Sequence, residues 1–541
     1  MDRPRARRLI RRGALVSALT LAVGVSFGPL GADAQPGSGT DATLSAAARA
    51  DRAGPGLRSA DPGVMANLWE WNWNSVAREC TDVLGPAGYG GVQVAPPQDS
   101  LKRTALGNGS DTVLHPWWEV YQPVRYALTS RMGDEAEFQA MVRTCRRAGV
   151  KVYVDAVINH MTGQGSRSYG GVSYSRYNYP GLYDAANFNS YPDDCPIAPV
   201  PPVPPGEQQS QNGIIADFNN QRQVFNCDLV NLTDLDTSQR EVQRKEAAYL
   251  NKLLRYGVSG FRIDAAKHVG QQDLNALYRR LNNTVDGTRP AWVLEVFGGG
   301  PGILSPEAFT SSGQVLGLDA AVQLKSAFKS YTAERVGSIS TLKVFGPGSG
   351  LPDSEDTWTF AQNHDTERGS DTLSYKDGDT NVLATQFLLA YGYGTPQVYA
   401  AFEFGSDTAQ SPPSDAEGFI TDTDCDDGWA CTNRDRRITA MVGWHNFVGQ
   451  ARLRHWWDDG ENVVAFSRGN RGWIALNNGT QAKQINVQTG LPAGTYCDIT
   501  RGGLTAQRCS GPTVRVRAGG KARVTVPAKS AVAFTRSDRV R

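Results

Sequence analysis

Four acids in this chain of 541 residues have the spacing to do chemistry together: Asp155, Asp264, Glu295 and Asp365. Each closes or follows a short apolar run. Asp264 and Glu295 are 31 residues apart, and Glu295 and Asp365 are 70 apart, about one and two strand–helix units. Carboxylates converging on one cleft repel one another, so at least one keeps its proton unusually long. One protonated acid beside one ionised carboxylate is what glycoside hydrolysis needs. Arg262 and Asp264 lie two apart in Gly260-Phe-Arg-Ile-Asp264 and therefore share one face of a strand. They read either as a structural ion pair at a strand end or as a carboxylate held by an arginine at the mouth of a barrel. In the second reading Lys267 and His268 stand on the loop just beyond.

Positioning these acids requires a scaffold, and from Val64 a pattern repeats in which a short apolar run is followed by a helical stretch. The runs are Val64–Trp69, Tyr89–Val94, Val150–Val157, Gly260–Asp264, Trp292–Val296, Leu316–Ala320, Trp358–Gln362 and Pro396–Ala400. Helical spacing is clear at Glu135–Ala148 and at Ser238–Tyr256. Eight alternating units predict an α/β fold of the (β/α)8 barrel type, whose active sites lie at the C-terminal ends of the strands. A doubly wound sheet is the alternative, but no Gly-rich phosphate loop follows the first strand; Gly298–Gly302 lacks the dinucleotide spacing. The gap between strands three and four is too long for a loop and predicts a small inserted domain. Its Pro199–Gly206 run suggests an exposed, extended segment. Beyond about Phe447 the helical periodicity gives way to strands and Gly/Asn turns, a separate antiparallel β domain.

The domain boundaries that follow are 1–34 signal peptide, 35–62 disordered leader, 63–158 and 236–446 barrel, 159–235 inserted domain and 447–541 β domain. The signal reading rests on Arg3, Arg5, Arg7, Arg8, Arg11 and Arg12 before the apolar Ala14–Leu30, with Ala32-Asp-Ala34 after it. It predicts secretion, by the ordinary or the twin-arginine route, and no membrane anchorage once the signal is cleaved. A net charge of +1 gives no footing for nucleic acid. The eight cysteines read as disulfides behind a signal peptide, with Cys425–Cys431 and Cys497–Cys509 close enough to be local pairs and the rest open.

Aromatic residues cluster near the expected rim. Trp69, Trp71 and Trp73 read as core packing. Trp117, Trp118 and Tyr121, in a loop with proline and charges, read as a platform on which sugar rings stack.

Taken with Asp155-Ala-Val-Ile-Asn-His160, Gly260–His268, Leu294-Glu-Val296, Asn363-His-Asp365 and Trp117-Trp-Glu-x-Tyr121, the chain resembles the α-amylases of the α-glucan-active glycosidase family. It is most similar to actinobacterial and animal-type members, over about Val64 to the C-terminus. The resemblance implies endo-hydrolysis of α-1,4 bonds in an α-glucan polysaccharide with retention at the anomeric carbon. Asp264 would be the nucleophile and Glu295 the acid/base, with Asp365 holding substrate hydroxyls and Arg262 keeping Asp264 ionised. His160 and His364 would bond the sugar at the cleavage point, and Lys267 its neighbour on the leaving-group side.

It further implies a structural calcium on the side chains of Asn159 and Asp234 and the carbonyls of Phe225 and His268, oxygen donors that suit this ion. Chloride-activated members hold the anion with the residues matching Arg262 and Asn363 and with a basic residue after strand eight, and Gln397 at that last position leaves no chloride requirement expected. The Gly-rich loop of animal enzymes after Asp365 is also missing. The family's disulfides map as Cys80–Cys145, Cys195–Cys227, Cys425–Cys431 and Cys497–Cys509. A maltooligosaccharide-forming hydrolase, a transglycosidase and an inactive glucan-binding protein are the competing readings, and a monomer is the default state.

Overall fold

The computed structural model describes residues 63–103, 113–195, 213–329 and 337–540. The signal, the leader and the Pro199–Gly206 run lie outside the described residues. Eight parallel strands follow one another around a closed ring: β1 (Met65–Leu68), β2 (Gly91–Val94), β3 (Lys151–Ala156), β4 (Gly260–Ile263), β5 (Ala291–Leu294), β6 (Gln314–Leu316), β7 (Thr357–Phe360) and β8 (Thr395–Phe402). Closure is made by β1 against β8, with Met65 opposite Gln397 and Leu68 opposite Ala400. A short strand, β9 (Trp429–Ala430), pairs antiparallel with the end of β8.

The strands are buried on both faces, as parallel strands wrapped by helices must be. Phe261 and Ile263 of β4 face outward into the large core shared with the helices. Inside the ring, Met65, Tyr153, Ala291, Val293, Leu316, Trp358 and Phe360 pack together. Most of these come from odd-numbered strands, the layering expected of a filled barrel. A side chain at Gly260 would meet Ala291 Cβ at 2.5 Å, so only glycine fits there. Its inward direction also fixes that of Arg262, two residues on.

The helices carry their own start and stop signals. α1 (Trp73–Glu79) begins at Asn72, whose side chain accepts the Ser75 N–H. α2 (Glu135–Arg147) opens with a reciprocal Asp134/Glu137 capping box and ends on Arg146 and Arg147, matching the helix dipole. Ahead of α4 lies the short α3 (Gln221–Asn226) of the inserted segment. α4 (Arg240–Tyr256) stops at Gly257, which takes the left-handed conformation open to glycine. Beyond β4 come α5 (Ala266–Val269) and α6 (Gln271–Arg279).

The sixth strand is a correction. Leu316–Ala320 was expected to be the strand, but β6 is Gln314–Leu316, and the remainder of the run enters α7 (Leu318–Phe328). The apolar residues of Leu316–Leu324 serve a strand end and a buried helix start in succession. After β7 follow α8 (His364–Arg368), α9 (Asp379–Tyr391) and α10 (Arg436–Val448).

The C-terminal part is two antiparallel sheets. The first orders β10 (Leu453–Asp458), β11 (Val463–Arg468), β12 (Gly472–Asn477) and β17 (Ser530–Thr535). The second orders β13 (Lys483–Gln488), β16 (Lys521–Val526), β15 (Thr513–Val516) and β14 (Gly494–Cys497). Val463, Ala465 and Trp473 meet Ile485, Tyr496 and Val524 between the sheets. The other face of the first sheet, Val464, Phe466, Ile474 and Leu476, joins the barrel core. That double burial explains why β11 and β12 are buried throughout while β16 alternates. All four disulfides form in the pairing the resemblance implies. Among the described residues no helix is long and apolar enough to cross a membrane.

Candidate active site

Arg262 is the hub of the C-terminal rim. Its Nη1 donates to Asp155 Oδ1 at 2.8 Å and to Asp264 Oδ1 at 2.6 Å. Its Nη2 donates to Glu295 and stands 3.8 Å from Asp365. One buried guanidinium therefore meets all four acids singled out by spacing. A charge so deeply buried persists only when paired and hydrogen-bonded, and each acid is likewise held by that cation. Asp264 follows β4 directly and takes its N–H to the Ala156 carbonyl at the end of β3. Next to it, Ala265 adopts a left-handed backbone (φ 48°) and donates its N–H to Glu295 Oε2 at 2.8 Å.

The electrostatics separate the acids. Burial raises the pKa of Asp264, and Arg262 opposes it. Burial also raises Glu295, with Arg262 lowering it and the Asp264 charge adding to the rise. Asp365 is pushed well up by burial and then by Glu295, although its side chain is the most open of the three at 28% exposure. Glu295 in turn adds to the rise of Asp365, as neighbouring carboxyls do. Asp155 rises to about 7 through burial and also accepts the Tyr121 hydroxyl at 3.0 Å. The other three acids are each raised in part by a neighbouring carboxyl, whereas for Asp264 burial is opposed by Arg262 alone.

The expected sugar-binding residues fall into two groups. Trp117, Trp118 and Tyr121 form one turn, Trp117–Tyr121, held by Glu119 beneath it. Glu119 is buried and accepts the Tyr169 hydroxyl and the Arg103 N–H, both at 2.6 Å. Fully buried Arg131 fixes the approach to this turn, donating to the His115 and Pro116 carbonyls at 3.1 Å. Trp117 and Trp118 remain half-buried, each a ring that can offer a face. His364 Nε2 lies 3.2 Å from Asp365 Oδ2. Burial, then Arg262 and Arg368, hold His364 well below the usual histidine range, so its imidazole is neutral.

His160 and Lys267 are engaged with the protein. His160 Nε2 lies 3.0 Å from the Tyr121 carbonyl, and burial brings its pKa down to about 4. The Lys267 ammonium donates to the carbonyls of Phe297 at 3.1 Å and of Gly299, while its N–H bonds the Glu295 carbonyl at 3.1 Å. A sugar contact at Lys267 would therefore add to a clamp on the segment after Glu295.

The residues expected to hold calcium lie on segments at the junction of barrel and inserted segment. Asn159 Nδ2 lies 3.2 Å from Asp234 Oδ1, and the backbones there pair through His160 and Asp234. Helix α3 packs on α5, and His268 Nδ1 lies 3.0 Å from the carbonyl of Val224, the residue before Phe225. The Asp234 carboxyl is fully buried and its pKa is driven well up by burial. Its bonds come from the amides of Asn159 and Asn189. A buried carboxylate among amides and carbonyls fits a hard divalent cation. Among the described residues no group of three or more His, Cys, Asp or Glu could hold a metal, which is compatible with a donor set built mainly from amides and carbonyls. At the expected anion position, Gln397 Nε2 donates to Gln93 Oε1 at 2.9 Å, and Asn363 Oδ1 caps α8 through the Thr366 N–H.

Several contributors were not singled out from sequence. Trp69 is fully buried, as the core reading held, yet it stacks on His364 at 4.8 Å. The Ala265 N–H and Arg368 carry no local pattern that marks them, because their partners are distant in sequence or depend on a backbone conformation.

Residues 123–288 match the model of the α-amylase catalytic domain, and residues 456–537 match that of the α-amylase C-terminal all-β domain. The chain is similar to a Streptomyces violaceus α-amylase at 40% identity, covering 87% of this chain and 73% of that protein. It is also similar to one from Tenebrio molitor at 37% identity, covering 85% and 94%. Among solved structures, wild-type α-amylase I of Eisenia fetida superposes with a TM-score of 0.81 at 32% identity, covering 89% of this chain and 99% of that one. A variant of the worm enzyme was solved with maltohexaose to the same agreement.

Proposed function

The chain belongs to the α-amylase family, and on that premise we propose the part each residue plays. The enzyme is a glycoside hydrolase that cleaves internal α-1,4-glucosidic bonds of starch, glycogen and maltooligosaccharides. Asp264 attacks the anomeric carbon while Glu295 passes its proton to the glycosidic oxygen, and the bond to the leaving sugar breaks. The now ionised Glu295 takes a proton from water, whose oxygen displaces Asp264, so configuration is retained. The observation that carries this reading is the single Arg262 guanidinium shared by Asp264 and Glu295. It favours an ionised nucleophile, while Glu295 feels the Asp264 charge and keeps its proton longer.

Asp365 orients sugar hydroxyls at the cleavage point with neutral His364 beside it. Trp117, Trp118 and Tyr121 stack sugar rings, and His160 faces the same sugar. Lys267 secures the leaving-group side by holding the backbone after Glu295. Asn159, Asp234 and the carbonyls of Phe225 and His268 hold a calcium ion that braces the inserted segment against the barrel. Activity needs no chloride. The protein is secreted, in keeping with four disulfides, and acts as a monomer.

Digestion of soluble starch, followed over time by product length and anomer, tests the reading. A spread of α-anomeric oligosaccharides is expected at early times. A single product length overturns the endo mode, and β-anomers overturn retention. Glu295→Gln is expected to lower turnover by about two to four orders of magnitude with the fold intact. Near-normal activity in that variant would refute the acid/base role.

A further inference from the structure

Four planar groups gather beside the catalytic acids, with Phe402 also stacked on Trp69 at 5.4 Å. The Arg368 guanidinium covers the Trp69 ring at 4.6 Å. Trp69 stacks on the His364 imidazole at 4.8 Å with 12° between planes. His364 stacks in turn on Tyr121 at 5.1 Å and 15°. The two outer rings of the imidazole sandwich are joined, because Trp69 Nε1 donates to the Tyr121 hydroxyl at 3.0 Å. At the far end Arg368 lies 4.5 Å from Phe404 and 4.9 Å from Phe402. Its Nη1 donates to the His364 carbonyl at 3.0 Å and to Glu367 at 3.1 Å. Among the described residues its Nε and Nη2 are buried without a hydrogen-bond partner, and ring faces surround much of this cation.

We propose that Arg368 is a positioning residue for the sugar-orienting pair His364 and Asp365. Its guanidinium rests on Trp69, which stacks on the imidazole, and also ties the His364 carbonyl. A cation over an indole is attracted by the ring's negative face, more so when both are shielded from water. The planar fork of arginine can stack and hydrogen-bond at once, which an ammonium cannot do. With the ring clamped on both faces, the Nε2 of His364 has one direction left, toward Asp365. Because α8 has a single turn between His364 and Arg368, the clamp is built from its two ends.

The proposal rests on Asp365 acting in catalysis, so the test carries a readout independent of turnover. The chain has six histidines, and a ring held between Trp69 and Tyr121 has its carbon-bound protons displaced by ring currents in the NMR spectrum. In Arg368→Met the His364 resonance is expected to move toward the position of an unstacked histidine. In the same variant kcat is expected to fall about tenfold to a hundredfold while KM changes by less than about threefold. Arg368→Lys, which keeps the charge without the plane, should recover part of kcat and part of the ring-current shift. Should the Met variant not fold, the Lys variant alone decides. An unmoved His364 resonance in a folded variant, or a kcat equal to the parent's, overturns the proposal. Full activity in Asp365→Asn would instead remove the catalytic premise, leaving the resonance to report on the stack.

Discussion

The backbone N–H of Ala265 reaches the Glu295 carboxylate at 2.8 Å, from a residue whose φ is +48°. The residue after Asp264 thus uses an uncommon backbone conformation to hold Glu295. Alanine tolerates that conformation at some cost, whereas a β-branched side chain rarely adopts it. Ala265→Val should therefore destabilise the fold by about 1–3 kcal/mol and lower kcat with it. Ala265→Gly should keep stability closer to the parent. Denaturant melts of both variants, with kcat alongside, give the comparison.

Arg262 lowers the pKa of all four acids around it. Removing its charge must raise them, so Asp264, the proposed nucleophile, would ionise only at higher pH. The acid limb of kcat/KM in Arg262→Gln is expected to shift upward and its maximum to fall by about two orders of magnitude or more. Leaving buried carboxylates without a cation is also destabilising. Arg262→Lys is the gentler variant and should show the same direction of shift. An acid limb unmoved in both would contradict the role given to Arg262.

Metal removal should be visible without any substrate. Chelation is expected to lower the melting temperature by roughly 5 °C or more, with calcium restoring it. In Asp234→Asn the buried carboxylate is replaced by a neutral amide, so chelator and calcium should both cease to matter. In the metal-free state this variant should melt at or above the parent. Scanning calorimetry of the two proteins with and without calcium reads all of these. A parent insensitive to chelator would remove the calcium.

Chloride should leave the rate unchanged. Gln397 is paired with Gln93, and Asn363 is occupied in capping α8. Activity measured from chloride-free buffer upward, at ionic strength held with another salt, is expected to stay within about twofold, less than the tenfold that 1.4 kcal/mol of coupling would produce. Strong activation would sink the expectation.

Much of the site was legible in the sequence because its acids sit at strand ends, where period-two alternation fixes direction: Gly260, Arg262 and Asp264 could be aligned on one face from spacing alone. The sixth strand lies earlier than the run Leu316–Ala320 indicates, because an apolar run that short satisfies a strand and a helix alike. The Trp69–His364–Tyr121 sandwich joins residues separated by up to 295 positions, and no local period encodes such a meeting. Lys267 stood within a motif that pointed it at sugar. Its capture of the Phe297 and Gly299 carbonyls depends on how the chain turns after β5.

Barrel closure has a consequence for how this chain folds. Met65 pairs with Gln397 across 332 positions, so the first strand waits for the last before its outer edge is covered. Bringing such distant ends together costs loop-closure entropy before any contact repays it, and high contact order slows folding. Until β8 is made, β1 is an open edge of apolar sequence, the kind that pairs with neighbouring chains. A polypeptide interrupted before about residue 400 lacks the strand that closes the ring. Its four acids could be made and still have no rim to share.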